Sequence, residues 1–323
     1  MMRFTALFSL LLALGLLLAN PGYSQEYPTH TVRLIVPYAA GGAPDVIARL
    51  IGQKLSDAMG APFIVENRPG AGGIAASEAV AHANPDGYTL LVPDVPQLAI
   101  NPFIFRNLPY DPLRDFAPVS IIATTPMFIL VRADSPIMTL SALIDQARAH
   151  PGQLSYASAG IGSLHHIAME SIKATAGIDL VHVPYKGTGQ AVPAFMAGEV
   201  AVLVSTLAAV EPFVRSHQAR LLAGTPARRT ARLPDVPAVA ETIPGIDFAG
   251  EIGLLAPAGT TSAIIGRLAA QVHRAVLAED VLQRLSALGA VAVGSTPEVY
   301  TQSLRSSLIT FEKAVKAARL SAE

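Results

Sequence analysis

Three stretches hold the residue types from which chemistry could be built. In ASAGIGSLHHIAME, Ser163 precedes His165 and His166, a pairing that raises nucleophilic catalysis. Neighbouring histidines after a serine on one helical turn cannot supply nucleophile-to-base geometry, and no G-x-S-x-G elbow occurs. Nor are they spaced as a metal pair, since ligands on one helix face prefer i and i+4. His166 therefore reads as a hydrogen-bonding residue of a cleft or a core. GAGGIA, from Gly70, fits the dinucleotide fingerprint with Asp94 further on, but Asn67, Arg68 and Pro69 separate strand from glycines. No glycine-lysine-serine or glycine-lysine-threonine triplet marks a P-loop. No catalytic residue, metal or cofactor is expected.

The third stretch, VPYAAGGAPDVIARL, runs a hydrophobic strand into Gly41 and Gly42 and then an amphipathic helix. Pro44 lacks an N–H and is preset for a first helical turn, and Asp45 suits the positive end of the helix dipole. The glycines leave the backbone bare, so an anion could approach its N–H groups; a tight turn needing positive φ explains them equally well. ASAGIGSLHH repeats the design, with Gly160 and Gly162 before Ser163, which can cap a helix from Leu164. Facing one another, two such N-termini would grip one anion. VPYKGTGQAVP adds Tyr185, whose ring could line a cleft, and Lys186, which reads as a surface charge.

The elements that would position these residues alternate as βα units. TVRLIVPY, PFIVEN and YTLLVPD read as strands, with helices DVIARLIGQKLSDAMG and GGIAASEAVAHA between them. Gly60 closes the first helix. NPFIFRNLPYDPLRDFAPV, crowded with proline, reads as a long surface connection. The rhythm restarts with strands MFILVRA, LSYASAG, DLVHVPY and EVAVLVS, separated by helices. After ARLLAGTPARRTARLPDVPAVAETIPG, GLLAPAG leads into two or three helices without strong strands. Those helices would have no sheet of their own, so they are expected to return to the first lobe. The expectation is an α/β chain of two lobes, 25–125 with 249–323 and 126–248, joined by two crossings.

Size and composition agree. The 323 residues suit roughly two domains of about 150 each. With 23 basic against 24 acidic residues, the chain lacks the basic face that nucleic-acid binding needs. Arg3, the apolar run Phe4 to Ala19, and the small residues Gly22 and Ser24 read as a signal peptide over 1–24. The run is short of the roughly 20 residues that span a bilayer, though an uncleaved anchor is the alternative. The chain has no cysteine, hence no disulfide and no lipid-modified cysteine. A soluble protein exported to a bacterial periplasm is expected.

YPTHTVRLIVPYAAGGAPDVIARL, VENRPGAGG, NPDGYTLL, INPFIFRNLPYDPLRDFAPVS, YASAGIGSLHHIA, VHVPYKGTGQAVPAFMAGEV, RLPDVPAVAE, GLLAPAGT and LSALGAVAVGSTPE, in this order, resemble the Bug-type substrate-binding proteins of tripartite tricarboxylate transporters. The resemblance covers essentially the whole mature chain. It implies a Venus-flytrap fold of periplasmic binding protein type II, each lobe a doubly wound sheet flanked by helices. It further implies a monomer that holds a small organic carboxylate between its lobes and delivers it to membrane permease subunits, without catalysis. A sensor subunit is the alternative, and a hydrolase or lyase acting on a carboxylate a more distant one. The family places a ligand carboxylate at the loops matching Tyr38 to Asp45 and Ser158 to His166, partly through water. Carried over by position, the candidates are Tyr38, backbone groups of Ala40, Gly41, Gly42 and Gly162, the hydroxyls of Ser158 and Ser163, and His166. Tyr185 and Ser205 join them, and Asp45 reads mainly as an organiser of its loop.

The chain also departs from the family pattern. Ala39 and Ala40 stand where prolines are frequent, and Pro44 follows in place of a threonine hydroxyl. Ile161 replaces a common asparagine, and Ser205 and Thr206 stand near a frequent aspartate or asparagine. Asp94 occupies a position that is usually small or hydroxylated. A carboxylate beside a bound anion is unfavourable unless it meets a donor. Asp94 either meets a donor at the far end of the ligand, points to solvent, or caps the next segment.

Overall fold

The computed structural model describes residues 27–38, 40–185 and 187–317; the expected signal peptide, Ala39 and Lys186 lie outside them. Strand β1 (Val32–Val36) is an unbroken apolar run apart from Arg33, as a strand covered on both faces requires. Helix α1 (Ala43–Met59) buries Ile47, Ile51 and Leu55, and stops where Gly60 turns left-handed at φ 73° and its N–H returns to Ser56 O. Strand β2 (Phe63–Asn67) lies parallel to β1, and so does β3 (Thr89–Leu91), which follows a 3-10 turn (Ala71–Gly73) and helix α2 (Ile74–Ala81).

The expected surface connection from 101 to 119 proves otherwise. Its first residues complete helix α3 (Val95–Ile104), with Pro102 near the end, and Ile100, Asn101 and Tyr110 are buried. Asn101 Nδ2 donates to Tyr110 Oη (2.9 Å) and Gly72 O (2.9 Å), anchoring the segment from inside. The seventeen-residue strand β4 (Phe116–Arg132) begins well before the expected MFILVRA. It tolerates Pro118 because the ladder slips there, between Pro118 and Ser120, so that no regular N–H is required.

β4 serves two sheets. The second lobe contains α4 (Leu140–Ala149), β5 (Ser155–Ser158), α5 (Leu164–Ala176), β6 (Val181–Pro184), α6 (Thr188–Ala197), β7 (Val202–Thr206), α7 (Leu207–Arg215), β8 (Ala219–Gly224) and α8 (Val239–Thr242). The chain then returns through β9 (Ala249–Pro257) to α9 (Ser262–Val276), α10 (Glu279–Ala287), β10 (Val291–Ala292) and α11 (Pro297–Ala317). Phe116 to Pro126 of β4 pair antiparallel with β9, whereas Met127 to Val131 pair with β7 and Phe128 to Arg132 with β8. The strand order is β2-β1-β3-β9-β4-β7-β5-β6, with β8 and β10 also on β4. The expected α/β, two-lobed, helix-flanked architecture holds, but β9 is a nine-residue strand, not a lead into helices.

The last helices divide their packing. α9 buries Leu268, Val272 and Val276 against Leu34, Leu90 and Leu254 of the first lobe. α11 packs on both α3 and α5. Its Tyr300 and Leu304 join one core with Ile35, Leu91 and Ile129. Among the described residues no helix is long and apolar enough to cross a membrane.

Gly253 of β9 lies directly under the Tyr300 hydroxyl, where an added Cβ would collide with it. That hydroxyl is buried and has no partner among the described residues. Gly253→Ala is expected to cost about 1–3 kcal/mol through overpacking. Tyr300→Phe should be neutral or stabilising by about 1 kcal/mol, because it removes an unmet polar group. Denaturant midpoints of the two variants check both signs.

Candidate functional site

A cavity of about 460 Å³ opens between the lobes. Its second-lobe wall is the loop from Ala159 into the first turn of α5. Gly160 (φ 124°) and Gly162 (φ 74°) take conformations that a Cβ would strain, and they bend the chain back on itself. Ser163 is the N-cap: its Oγ donates to Gly160 O (2.7 Å) and accepts from His166 N–H (3.3 Å). The N–H groups of Leu164 and His165 begin the helix with no partner among the described residues. At Gly162 the lobes nearly touch, since a Cβ there would lie 3.1 Å from Ile104 Cδ1.

Two residues expected in this cleft sit behind it. The His166 ring folds back to accept from Gly162 N–H (Nδ1, 3.2 Å) and stacks on His182, with centroids 3.9 Å apart. Ser158 is fully buried and bonded to His182 Nε2 (2.7 Å). Both hold the loop, and neither lines the cavity. His165 does line it, although its place in the sequence suggested a role only beside a nucleophile. Its ring nitrogens are shut from solvent and have no partner among the described residues. Burial pushes the ring down to about 4, so it is neutral at physiological pH. The spacing Ser163-x-x-His166 was the missed signal: it puts His166 where a capping-box side chain folds back, which turns His165 outward.

The first-lobe wall differs from expectation as well. Tyr38 lines the cavity, whereas Ala40, Gly41 and Gly42 are exposed and do not. The Gly41 N–H, read as bare, donates to Asp45 Oδ2 (2.9 Å). That buried carboxylate also accepts from Arg49 Nε (3.2 Å) and Asn67 Nδ2 (2.9 Å), and pairs with the second Arg49 nitrogen at 2.9 Å. Burial alone would raise the Asp45 carboxyl, but these donors outweigh it and hold it below its usual range. Asp45 is thus saturated within its own lobe. Tyr185 lies elsewhere, its hydroxyl donating to Glu199 Oε2 (3.2 Å). Ser205 is buried in β7 with its Oγ unpartnered among the described residues. Neither lines the cavity.

Asp94 does line it. It occupies the N-cap position of α3 without a side-chain capping bond, so capping does not account for it. Its N–H donates to Tyr38 Oη (3.4 Å), and its Oδ1 accepts from Glu251 N–H (3.2 Å) on β9. Burial above all pushes its carboxyl up to about 7; the bond from Glu251 N–H opposes the rise and the Glu251 charge adds to it. Ile100, together with Ile104 and Phe105 of the wrongly read connection, completes this wall, and Ile161, 73% exposed, stands at the rim. No lysine or arginine lines the cavity, and no cluster that could hold a metal exists among the described residues. GAGGIA contributes only Gly72.

A mainly apolar cleft between two lobes, with one helix N-terminus opening on it, is the architecture of the two-lobed binding-protein class. Residues 47–304 match the model of the tripartite tricarboxylate transporter family receptor. Over 296 residues the chain is 33% identical to Protein BugT of Bordetella pertussis, covering 90% of this chain and 91% of that one. A solved R. palustris protein with adipate is 32% identical, with a TM-score of 0.79 over 92% of this chain and 100% of the other. MatC from Rhodopseudomonas palustris with bound malate is 33% identical, with a TM-score of 0.75 over 90% and 100%. The chain belongs to the tripartite tricarboxylate transporter receptor family, of which Bug proteins are relatives.

The two cavity-lining titratable groups affect stability with opposite sign. Folded Asp94 keeps its proton up to about 7, whereas the unfolded chain loses it near 3.8, so its contribution falls as pH rises between them. Folded His165 stays neutral down to about 4, whereas the unfolded chain protonates near 6.5, so its contribution rises over that window. Relative to the native chain, Asp94→Asn should gain in Tm as pH rises through this range. His165→Gln should hold its largest relative gain at the acid end. Thermal unfolding of all three proteins across pH measures these differences.

Proposed function

We propose that this chain is an extracytoplasmic solute-binding protein that captures a small organic carboxylate between its lobes and delivers it to a tripartite tricarboxylate-type membrane transporter. The observation that carries this reading is the first turn of α5. The N–H groups of Leu164 and His165, unpartnered among the described residues, supply hydrogen bonds and a dipole for an anion in a cleft where no described residue is a lysine or arginine. Malate and adipate, held by two relatives, are carboxylates of the size this cavity accepts.

In this reading the lobes are 25–125 with 249–323 and 126–248, and the crossings near Pro126 and Ala249 form the hinge. Tyr38, Asp94, Gly162 and Ser163 meet the ligand, together with His165. Ala40, Gly41, Gly42 and Asp45 shape the first loop, while Ser158 and His166 hold the second. The N-terminal segment directs export to the periplasm, and the protein acts as a monomer without transforming what it binds.

A thermal-shift screen over dicarboxylates, hydroxy acids, aromatic acids and amino acids tests the capture step. A ligand at about 100 times its Kd stabilises by about 2.7 kcal/mol, a rise of several degrees; silence across the panel would sink the reading. Delivery is tested by uptake in cells lacking the chain but retaining its permease. Gly162→Ala should weaken any ligand found by several-fold, because the left-handed turn costs about 1–2 kcal/mol with a Cβ and the methyl group presses on Ile104. Titration calorimetry reads that loss.

A further inference from the structure

We propose that the ligand carries, besides its carboxylate, a hydrogen-bond-donating group such as an ammonium, which meets Asp94, with an apolar segment between the two. This inference rests on the carboxylate reading above and specifies the class of carboxylate. The two walls of the cavity offer opposite chemistry. On the second lobe, the bare N–H groups of Leu164 and His165 are donors and suit a carboxylate. On the first, Asp94 offers an acceptor that its own surroundings leave largely unmet.

The Asp94 carboxylate accepts a single hydrogen bond among the described residues, from Glu251 N–H, although a carboxylate has about four acceptor sites. Among the described residues, the charged and titratable groups around it supply no cation. Glu251 faces it from β9, Tyr300 from α11 and Tyr38 from the loop after β1, while His165 stands on the opposite lobe. The rest of both walls includes the apolar side chains of Ile100, Ile104, Phe105 and Leu164.

Three kinds of ligand can be weighed against this lining. A dicarboxylate would place its second anion against Asp94. A plain monocarboxylate would cover Asp94 with hydrocarbon, leaving a buried charge unpaired. An ω-aminocarboxylate satisfies both walls, since its ammonium gives Asp94 a charge-assisted partner. Because burial pushes Asp94 up to about 7, the preference belongs to its ionised form and fades as the carboxyl gains a proton.

Titration calorimetry with ω-aminocarboxylates of four to six carbons, beside dicarboxylates and monocarboxylates of equal length, tests the proposal. At about pH 8, the best aminocarboxylate should bind the native chain about tenfold more tightly than its matched partners. Asp94→Asn should abolish that preference, and so should lowering the native protein to about pH 5.5, which does not depend on how the variant folds. Binding of dicarboxylates or monocarboxylates at least as tight as that of every aminocarboxylate would overturn the donor proposal and leave the carboxylate reading intact. The donor proposal alone also falls if Asp94→Asn and acid both leave the preference unchanged. If no member of any series binds, both fall.

Discussion

The antiparallel pairing of β4 with β9 is the constraint on which the rest depends. β4 starts in the first lobe and runs on into the second, changing partners between Pro126 and Met127, while β9 starts at that boundary and returns into the first lobe. Every cavity wall is fixed relative to this pair. Asp94 is tied to β9 through Glu251 N–H and a bridge to Ile252, so one side of the cleft is bonded to the strand that comes out of the second crossing. The loop of Gly160 to Ser163 hangs from β5, which reaches β4 through β7.

Within that frame the cleft presents, among the described residues, a helix dipole, a neutral histidine and one carboxyl. Its histidine is held uncharged by burial, and its carboxyl is raised toward neutrality by the same cause. Neutral donors fixed in place lose little to reorganisation when an anion arrives, whereas a mobile lysine would have to be ordered first. The cost is weaker long-range attraction for the anion. Arg49, the cation nearest the first glycine loop, is spent on Asp45.

Much of this was legible in the chain. VRLIV declared a covered strand, Gly60 a helix end, and Ser163 a cap, because each depends on local geometry that residue type dictates. The misreadings share a cause in tertiary context. Proline density between 101 and 119 signalled a loop, but Asn101 and Tyr110 bond each other inside the core and turn the segment into a wall of the site. β9 was missed because GEIGLLAP carries two glycines and a proline, and only the neighbours β3 and β4 make it a strand. For His166 the sequence left cleft and core open, since loop and helix decide together which ring folds inward. Gly41 looked bare because nothing in its spacing showed that Asp45 would take its N–H.

The placement of β9 also orders events in time. Leu91 of β3 finds its partner in Leu255, and the helix core over β1 is completed by Leu268 and Val272. During synthesis the N-terminal strands must therefore wait for residues made almost last, while the second lobe has its own strands in hand from β4 to β8. A nascent chain of this design cannot close its first sheet early, since non-local pairing is slow by nature.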